Sequence, residues 1–300
     1  MNSLTFARVQ DKLIRCQEEY RRRRMPNPSF YAKMAERKRL AKRLRNIRKV
    51  GDGPIYSIET KIGQKTVAEK ANVKAAGILQ GPFMELSEFD LDSLPDKFVI
   101  KPIVGSGADG VFLISKQNGQ LIDLLNGKNY SNKLTNLYVE GLSKFSGVGF
   151  IAEQLVEFNN RPSLNWKVFS FYGEVGLIRQ GDQGQPDKPY KLWSPDGRDL
   201  GPIDRLGFRY DPSLPAPRDI DKLLEAAKKI SLCVKTPFVR VDLYESDDDV
   251  YLGEVTLRPS SLWKKKHFQR FTPEWDRKLG EMWEDAQVRL IQDIDDFYMP

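Results

Sequence analysis

Two kinds of hydrophobic pattern divide the second half of the chain into strands and helices. In PFVRVDLYESDDDVYLGEVTLRP, residues 237–259, apolar and polar positions alternate on both sides of the acidic run ESDDD. This alternation predicts a β-hairpin, because successive side chains of a strand point to opposite faces. Residues 220–234 and 274–298 instead carry apolar side chains at helical spacing. The patterns therefore predict a mixed α and β body.

The predicted hairpin at residues 237–259, here called the distal hairpin, places two acidic residues opposite each other. If its turn is centred on Asp248, Asp242 is opposite Glu254 and Arg240 is opposite Thr256. The predicted core face of this hairpin consists of Val239, Val241, Leu243, Tyr251, Val255 and Leu257. Two directly opposed carboxylates destabilise a sheet unless a cation lies between them, and Mg²⁺ is a suitable cation. Alternatively, Arg240 or a lysine neutralises the pair, or a one-residue register slip separates it.

A second predicted hairpin contains a glycine-rich turn. In PDKFVIKPIVGSGADGVFLI, residues 95–114, two short apolar runs enclose GSGADG, and Lys101 ends the first run. Gly105, Gly107 and Gly110 would allow backbone N–H groups to approach an anion closely. The hairpin is therefore a candidate phosphate-binding element, the alternative being an ordinary turn. A strand follows the loop, which excludes the strand–loop–helix arrangement of P-loop and Rossmann motifs.

Two further apolar runs carry polar side chains. FIAEQLVE, residues 150–157, predicts a strand that contains Glu153. WKVFSFYGEVGLIRQ predicts another hairpin, with Lys167 and Arg179 near its outer ends. These two cations could reach one cleft, although solvated charges at the sheet edge are the alternative.

Two other segments complete the predicted organisation of the body. KTVAEKANVKAAGI, residues 65–78, predicts a helix that is closed by Gly77. Residues 181–219 are rich in proline and glycine and predict a long irregular loop. This loop is interpreted as an acceptor-binding flap or, alternatively, as a surface insertion without a catalytic role. Its candidate side chains are Lys191, Trp193, Arg198, Arg205 and Arg209.

Charge is concentrated at the start of the chain. The protein has 300 residues and a net charge of +7, but residues 1–50 alone carry 16 Lys and Arg against 4 Asp and Glu. Residues 51–300 are therefore mildly acidic, with a net charge of −5. Pro26 and Pro28 separate two predicted helical stretches of this basic arm. The second stretch has a thin apolar stripe formed by Met34, Leu40, Leu44 and Ile47.

The basic arm has two interpretations. It could contact a polyanion, which is an acidic polymer, a phospholipid surface or nucleic acid. No aromatic residues alternate with its cations, so nucleic acid is the weakest of these candidates. Alternatively, its apolar stripe docks on the acidic body and leaves a solvated cationic face.

Composition excludes several classes of protein. No apolar run reaches the ~18 residues needed to cross a bilayer, and the first residues lack the pattern of a secretory signal. We therefore expect a cytoplasmic protein, with peripheral attachment to the inner membrane surface as an addition. Two cysteines and one histidine exclude a disulfide framework and a histidine-rich metal site.

The ordered motifs resemble the ATP-grasp superfamily, and most closely its TupA-like family. The resemblance is carried by LPDKFVIKP with its glycine loop, by NWKVFSFYG and by FVRVDLYESDDDVYLGEVTLRP, and it covers roughly residues 60–300. It implies an α+β ATP-grasp fold in which two α+β lobes clasp a nucleotide. The implied segments are a basic helical N-terminal arm (1–50), an N-terminal part of the ligase body (51–95) and an ATP-grasp domain (96–300), whose lid lobe spans about 96–155 and whose distal lobe spans about 156–300.

The resemblance also implies roles for individual residues. Those near the phosphates of ATP would be Lys101, Lys167, Gly105, Ser106, Gly107 and Gly110, and those at its adenine edge Glu153, Gln154, Leu155 and Val156. Those binding Mg²⁺ would be Asp242 and Glu254, with Thr256 at the position where many ATP-grasp enzymes have an asparagine ligand. Those acting in catalysis would be Arg240, Arg179 and Lys167.

The implied activity is ATP- and Mg²⁺-dependent ligation of a carboxylate to an amine through an acyl phosphate. Suitable acids are a cell-surface polymer precursor, a peptide or a natural-product acid. The alternatives are an ATP-grasp phosphotransferase acting on a sugar or another hydroxyl acceptor, and a non-catalytic protein that binds nucleotide or polyanion. No specific nucleic-acid partner is expected.

Overall fold

The computed structural model describes most of the chain and divides it into two compact units. It describes residues 27–48, 58, 60–105, 110–131, 133–137, 141–145, 147–181, 189–203, 209–259 and 271–298. The larger unit comprises Val50–Pro202 and Phe208–Leu257, and the smaller comprises Met1–Lys49, Ile203–Gly207 and Arg258–Pro300. Within the described ranges, no helix is both long enough and apolar enough to cross a membrane.

Helices and strands are mixed along the chain, which confirms the expected α+β class. In order, the elements are α1 (Phe30–Arg48), α2 (Lys61–Lys70), β1 (Lys74–Ala75), β2 (Ile78–Phe83), β3 (Lys97–Pro102), β4 (Phe112–Gln117), β5 (Gln120–Asp123), β6 (Phe150–Gln154), β7 (Glu157–Phe158), β8 (Arg161–Pro162), β9 (Asn165–Phe171), β10 (Glu174–Gly181), β11 (Tyr190–Trp193), α3 (Ile220–Val234), β12 (Val239–Glu245), β13 (Val250–Thr256) and α4 (Pro273–Tyr298). Single helical turns lie at Leu86–Glu88, Thr135–Leu137 and Ser143–Phe145.

The larger unit contains a six-stranded sheet in the order β1-β13-β12-β9-β10-β11. All neighbouring strands are antiparallel except β1, which is parallel to β13. Helices α2 and α3 pack on one face of this sheet, where they bury the apolar side chains of the strands. Because side chains alternate between faces, the opposite face carries the polar row described below.

The distal hairpin has the predicted pairing but contains a β-bulge. Asp242 pairs with Glu254 and Arg240 with Thr256, whereas Leu243 pairs with Leu252, so Gly253 is the extra residue. The bulge reverses the alternation beyond it. The prediction that Tyr251 lies on the core face is therefore wrong, since Leu252 occupies the core.

A five-stranded antiparallel sheet in the order β2-β6-β3-β4-β5 forms the other part of the larger unit. Strands β3 and β4 flank the glycine-rich loop, which confirms the predicted strand–loop–strand arrangement. Their apolar faces pack with those of β5 and β6 in a second core that includes Phe98, Ile100, Ile114 and Phe150. The two main sheets therefore have separate hydrophobic cores.

Helix α2 begins earlier and ends earlier than the predicted helix at 65–78. The Thr60 hydroxyl accepts a hydrogen bond from the Gly63 N–H, which caps the helix start, and the helix ends at Lys70. Gly77 is not a helix cap, because its carbonyl accepts a hydrogen bond from the Gln154 N–H beside the five-stranded sheet.

The stretch at 181–219 is more regular than the predicted loop. It contains strand β11, in which Trp193 is buried in the core and Lys191 donates hydrogen bonds to the carbonyls of Pro212 and Leu214. Arg198 and Arg209 form local ion pairs with Asp196 and Asp211. Lys191 and Trp193 thus stabilise the segment, and the predicted Arg205 lies outside the described residues.

In the smaller unit, helix α1 is docked at its start on α4. Phe30 packs against the rings of Trp283 and Phe271, at centroid distances of 5.9 and 6.2 Å, and Met34 is fully buried. The predicted apolar stripe is wrong in part, because Leu40 is 51% exposed. Side chains 44–48 lie outside the described residues. An arm separate from the rest of the chain is therefore not confirmed.

Candidate functional site

Four charged side chains form a row across the six-stranded sheet. Glu254 on β13 pairs with Asp242 on β12, Asp242 pairs with Lys167 on β9, and Lys167 pairs with Arg179 on β10. Directly paired residues share a face of the sheet, so two acidic and two basic side chains lie side by side. This arrangement agrees with the predicted proximity of Lys167 and Arg179 and with the predicted carboxylate pair.

Asp242 is the buried centre of this row, with 1% of its surface exposed. Arg240 donates two hydrogen bonds to its carboxylate, from Nε to Oδ1 at 2.6 Å and from Nη2 to Oδ2 at 2.8 Å. Lys167 Nζ lies 2.9 Å from Oδ2. Burial alone would raise the pKa of Asp242, but the charges of Arg240 and Lys167 outweigh it and hold the pKa below its ordinary value. Asp242 is therefore ionised and fixed in place.

Lys167 is held from two sides. Its Nζ donates to Asn165 Oδ1 at 2.7 Å and to Asp242 Oδ2 at 2.9 Å. Burial lowers the pKa of Lys167, although the charge of Asp242 opposes the shift. An ammonium group has three donors, and these two acceptors are the ones it meets among the described residues. One donor therefore remains to bind an anion.

Glu254 lies at the open end of the row. Its Oε1 accepts a hydrogen bond from the Thr256 hydroxyl at 2.9 Å, and its Oε2 lies 3.7 Å from Lys61 Nζ. Arg240 Nη2 also donates to the Thr256 hydroxyl at 3.1 Å. The alternative predicted from sequence, neutralisation of the pair by Arg240 or a lysine, is therefore present at Asp242. The bridging-metal interpretation remains a prediction.

A second charged cluster lies between the five-stranded sheet and helix α2. Lys101 on β3 forms an ion pair with Glu153 on β6, and Lys65 on α2 binds the other oxygen of Glu153 at 2.8 Å. Lys65 also donates to the carbonyl of Ala76. Burial alone would raise the pKa of Glu153, but the charges of Lys101 and Lys65 hold it below its ordinary value. Burial lowers the pKa of Lys101 despite the attraction of Glu153.

The second cluster lines one small polar pocket. It is lined by Lys61, Gln64 and Lys65 of α2, by Lys101 and Glu153 of the five-stranded sheet, and by Gly253 at the bulge. Gln64 Nε2 reaches the carbonyl of Val255 at 3.5 Å, which ties α2 to β13. Lys61, which lines this pocket, also lies 3.7 Å from Glu254, so α2 links the pocket to the charged row.

Lys61 and Lys65 were missed as candidates from the sequence. They are four residues apart and hence share a helix face, but the helix was predicted to start at Lys65. The capping sequence at Thr60, followed by two lysines with this spacing, is the signal that could have identified them.

The described glycines of the loop, Gly105 and Gly110, lie between β3 and β4, and the adenine-edge candidates lie at the end of β6 and directly after it. Gly110 has a φ of +73°, and a Cβ atom there would overlap the Phe145 ring, so glycine is required. Gly105 follows β3 at an exposed position, and Ser106 and Gly107 lie outside the described residues.

The Gln154 N–H donates a hydrogen bond to the Gly77 carbonyl, and the Val156 carbonyl accepts one from the Ser163 N–H. Leu155, between them, is half-buried. The Glu153 side chain, which was expected near the adenine amino group, is bound by Lys101 and Lys65 instead. The role of this segment at the adenine edge remains a prediction.

Arg179 ends the row on the β10–β11 side of the sheet. Its guanidinium carbon lies 5.2 Å from the centroid of the Tyr190 ring, and 9% of the residue is exposed. A guanidinium on an aromatic face keeps its donors in a fixed plane. Arg179 is therefore a rigid cation beside Lys167.

The donor set around Asp242 and Glu254 fits a hard divalent cation. Among the described residues no group of three or more His, Cys, Asp or Glu side chains converges on one point. Two carboxylates and the Thr256 hydroxyl nevertheless offer only oxygen ligands, as Mg²⁺ prefers when substrate phosphates complete its shell. Three hydrogen bonds occupy three of the four lone-pair positions of the Asp242 carboxylate, so one position, on Oδ1, remains for a metal.

Two sheets with separate cores, a glycine-containing hairpin and a charged pocket between them define the ATP-grasp class of fold. A family model described as TupA-like ATPgrasp matches residues 39–284, and the chain belongs to this family.

Solved structures also resemble the chain. D-alanine–D-alanine ligase from Bacillus anthracis has 14% identity and a TM-score of 0.49, with 80% of this chain and 70% of that chain covered. The ATP-grasp ligase PsnB, complexed with a phosphomimetic variant of its minimal precursor, Mg and ADP, has 10% identity and a TM-score of 0.44, covering 78% and 60%. The VanG D-Ala:D-Ser ligase from Enterococcus faecalis has 12% identity and a TM-score of 0.46, covering 78% and 62%. A comparison with curated proteins found no match.

Proposed function

We propose that the protein is an ATP- and Mg²⁺-dependent ligase that joins a carboxylate to an amine. The observation that carries the proposal is the row Glu254–Asp242–Lys167–Arg179 on one sheet face, next to the Lys101–Glu153–Lys65 cluster. Activation of a carboxylate by ATP brings two anions together, so such a site needs fixed cations and metal-binding carboxylates. The acceptor acids that suit this chemistry are a polymer precursor at the cell surface, a peptide or a natural-product acid.

Lys101 and Lys167 are the proposed phosphate-binding residues, and Lys61 and Lys65 line the same pocket as Lys101. Each ammonium group is positioned by an acidic partner, Glu153 for Lys101 and Asp242 for Lys167. An ammonium that is already oriented loses little conformational freedom when a phosphate oxygen arrives. The glycine loop at residues 105–110 would cover the phosphates with its N–H groups, and the backbone at 153–156 would face the adenine.

Asp242 and Glu254 are the proposed metal ligands, with Thr256 beside them. Mg²⁺ would neutralise phosphate charge and hold the terminal phosphoryl group in place. Arg240 fixes the Asp242 carboxylate through two hydrogen bonds and so keeps it directed toward the cleft. This role places Arg240 behind the metal ligand, although the resemblance implied direct action on the reacting groups.

Arg179 and Lys167 are the proposed catalytic cations at the acceptor side. In the first step an oxygen of the acceptor carboxylate forms a bond to the terminal phosphorus, and the bond to the departing ADP breaks. In the second, the amine nitrogen bonds to the acyl carbon and phosphate leaves, with the amine proton passing to solvent. Two adjacent cations on rigid strands would stabilise negative charge in both steps.

Product analysis with Mg-ATP and pooled acids and amines tests this proposal. We expect ADP, phosphate and an amide, with all three formed only when an acid and an amine are both present. A phosphorylated hydroxyl acceptor formed without amine would show a phosphotransferase instead. Nucleotide binding without turnover under any of these conditions would show a non-catalytic protein. Mass spectrometry of the products distinguishes the three results.

A further inference from the structure

The part of helix α1 beyond its docked start presents cations to solvent. Among the side chains of α1 that the structure describes, 30–43, the buried apolar ones are Phe30, Tyr31 and Met34, all in its first five residues. Farther along the helix, Arg39, Lys42 and Arg43 are exposed. Residues 38–43 contain four Lys and Arg and no acidic residue. The exposed segment is therefore a concentrated positive surface that the proposed ligase chemistry does not use.

An apolar side chain lies within this positive surface. Leu40 is 51% exposed and is flanked by Arg39 and Arg43, which are exposed as well. At 100° per residue these three side chains lie on the helix side opposite Met34, which faces α4. Leu40 is thus available to a partner and does not contribute to the packing of the two helices.

Charge and apolar exposure together select one kind of partner. A nucleic acid or an acidic polymer would satisfy the cations, but it would leave Leu40 in water. A bilayer with anionic headgroups offers phosphate oxygens to the cations and an acyl layer just below them to the leucine. No aromatic residue occurs at positions 36–43 that could stack on a base.

We propose that Arg39, Leu40 and Arg43 of α1 form a docking surface for an anionic phospholipid membrane. Arg39 and Arg43 would bind headgroup phosphates, and Leu40 would enter the acyl boundary. Lys42 lies about 160° from Leu40 around the helix and faces away from that membrane. The attachment is peripheral and reversible, because one leucine and a few cations supply only modest binding energy. The surface is independent of the proposed ligase site, whose residues all belong to the larger unit.

Cosedimentation of the full chain with vesicles tests the proposal. The vesicles contain phosphatidylcholine alone or an equimolar mixture with phosphatidylglycerol, and binding is measured at low and high ionic strength. The test variant is Arg39→Gln/Arg43→Gln, in which glutamine preserves helix propensity. The matched control, Lys70→Gln/Lys228→Gln, removes the same charge at exposed positions outside α1.

The expected result is binding to the anionic vesicles that weakens with salt. The test variant should lose about 25-fold in affinity, since each of the two cations near the surface contributes about fivefold. The control should stay within about twofold. Leu40→Gln, at an exposed position, should lose about fivefold on anionic vesicles while its affinity for soluble heparin is unchanged.

Three results would overturn the proposal. The first is equal binding to phosphatidylcholine alone, and the second is an equal loss in the control double variant. The third is binding to heparin, polyglutamate or duplex DNA at least as tight as to anionic vesicles, with no effect of Leu40→Gln on vesicles. The third result would identify the surface as a general polyanion site.

Discussion

Asp242 and Glu254 face each other across one ladder but differ in their surroundings. Asp242 is buried between two cations, whereas Glu254 is half-exposed. We expect Asp242→Asn to lower the free energy of unfolding by about 3 kcal/mol, because it leaves Arg240 and Lys167 buried without their counter-charge. Glu254→Gln should cost less than about 1 kcal/mol. Urea denaturation measures both values.

Both substitutions should reduce turnover by about 100-fold or more, since each removes a proposed metal ligand. The exposed Asp92→Asn serves as a control and should change neither stability nor turnover. Turnover at the wild-type rate in a folded Asp242→Asn or Glu254→Gln protein would contradict the assigned role.

The depressed pKa of Asp242 also predicts how stability changes in acid. The folded protein holds this carboxyl ionised to lower pH than the unfolded chain does, so its stabilisation is full above the unfolded pKa of about 3.9 and is lost as pH falls through the folded pKa. We expect the free energy of unfolding to fall below about pH 4 more steeply in wild type than in Asp242→Asn. The pKa of Glu153 is also lowered, but Glu153 is present in both proteins, so the difference between them isolates Asp242. Denaturation curves from about pH 5 to about pH 2 test this. If the free energy of unfolding fell equally steeply with decreasing pH in wild type and Asp242→Asn, the prediction would be wrong.

At the scale of single elements, the role of helix α2 in ATP binding can be tested through Lys65. Lys65 binds Glu153, which in turn binds Lys101, so Lys65 acts on the proposed phosphate site through a second residue. We expect Lys65→Met to raise KM for ATP about tenfold and to change kcat much less, because the Lys101–Glu153 pair loses its support. Lys65→Arg should restore most of the affinity.

The matched control for this helix is Lys70→Met, an exposed position one turn or more from the pocket. It should leave KM and kcat at their wild-type values. Equal kinetics for Lys65→Met and Lys70→Met would show that Lys65 has only a structural role.

The bulge in β13 makes a separate prediction. A Cβ atom at Gly253 would collide with the ring of Tyr244 on the paired strand. We expect Gly253→Ala to cost about 1–3 kcal/mol, as overpacking of a tightly packed site does. Gly77→Ala is the control, since a Cβ atom there would meet only Gln154 Oε1 at 3.8 Å, and it should cost less than about 0.5 kcal/mol. Equal stability of the two variants in thermal or urea unfolding would contradict the tight contact.

Strand periodicity was sufficient to predict the distal hairpin, because its residues alternate in polarity up to Asp242 and from Glu254 onward. The bulge was not predictable from that alternation, since a glycine fits either face of a strand and only the contact with Tyr244 marks Gly253. As a result, the predicted core contained Tyr251 in place of Leu252.

The charged clusters show why other parts of the site were missed. Lys101 and Glu153 are 52 residues apart, and their pairing depends on β6 lying beside β3, which no local pattern specifies. Lys61 and Lys65 depended on the position of a helix start. The sequence was therefore sufficient to predict individual charged candidate residues, whereas ion pairs that depend on the order of strands in the sheet could not be predicted from it.

For the whole molecule, the two units make deletion of the basic segment a poor experiment. Removing residues 1–48 would take away Phe30 and Met34 and would expose Trp283 and Phe271, which pack with Phe30. If the deletion variant bound the acceptor acid less tightly, disruption of the smaller unit would be a sufficient cause. Substitution of exposed cations avoids this problem because the buried contacts remain.

The division into two units also predicts that a substitution can destabilise the smaller unit without weakening nucleotide binding by the larger unit. Phe30→Ala removes a ring that is 1% exposed and should lower the stability of the smaller unit by about 3–5 kcal/mol. All residues of the proposed ATP site belong to the larger unit, so Mg-ATP affinity measured by calorimetry below the unfolding transition should stay within about twofold. Leu40→Ala, at a 51% exposed position, should cost less than about 0.5 kcal/mol and leave ATP affinity unchanged. If Phe30→Ala weakened ATP binding tenfold while Leu40→Ala did not, packing in the smaller unit would have to be coupled to the nucleotide site, and the two units could not be treated as energetically independent.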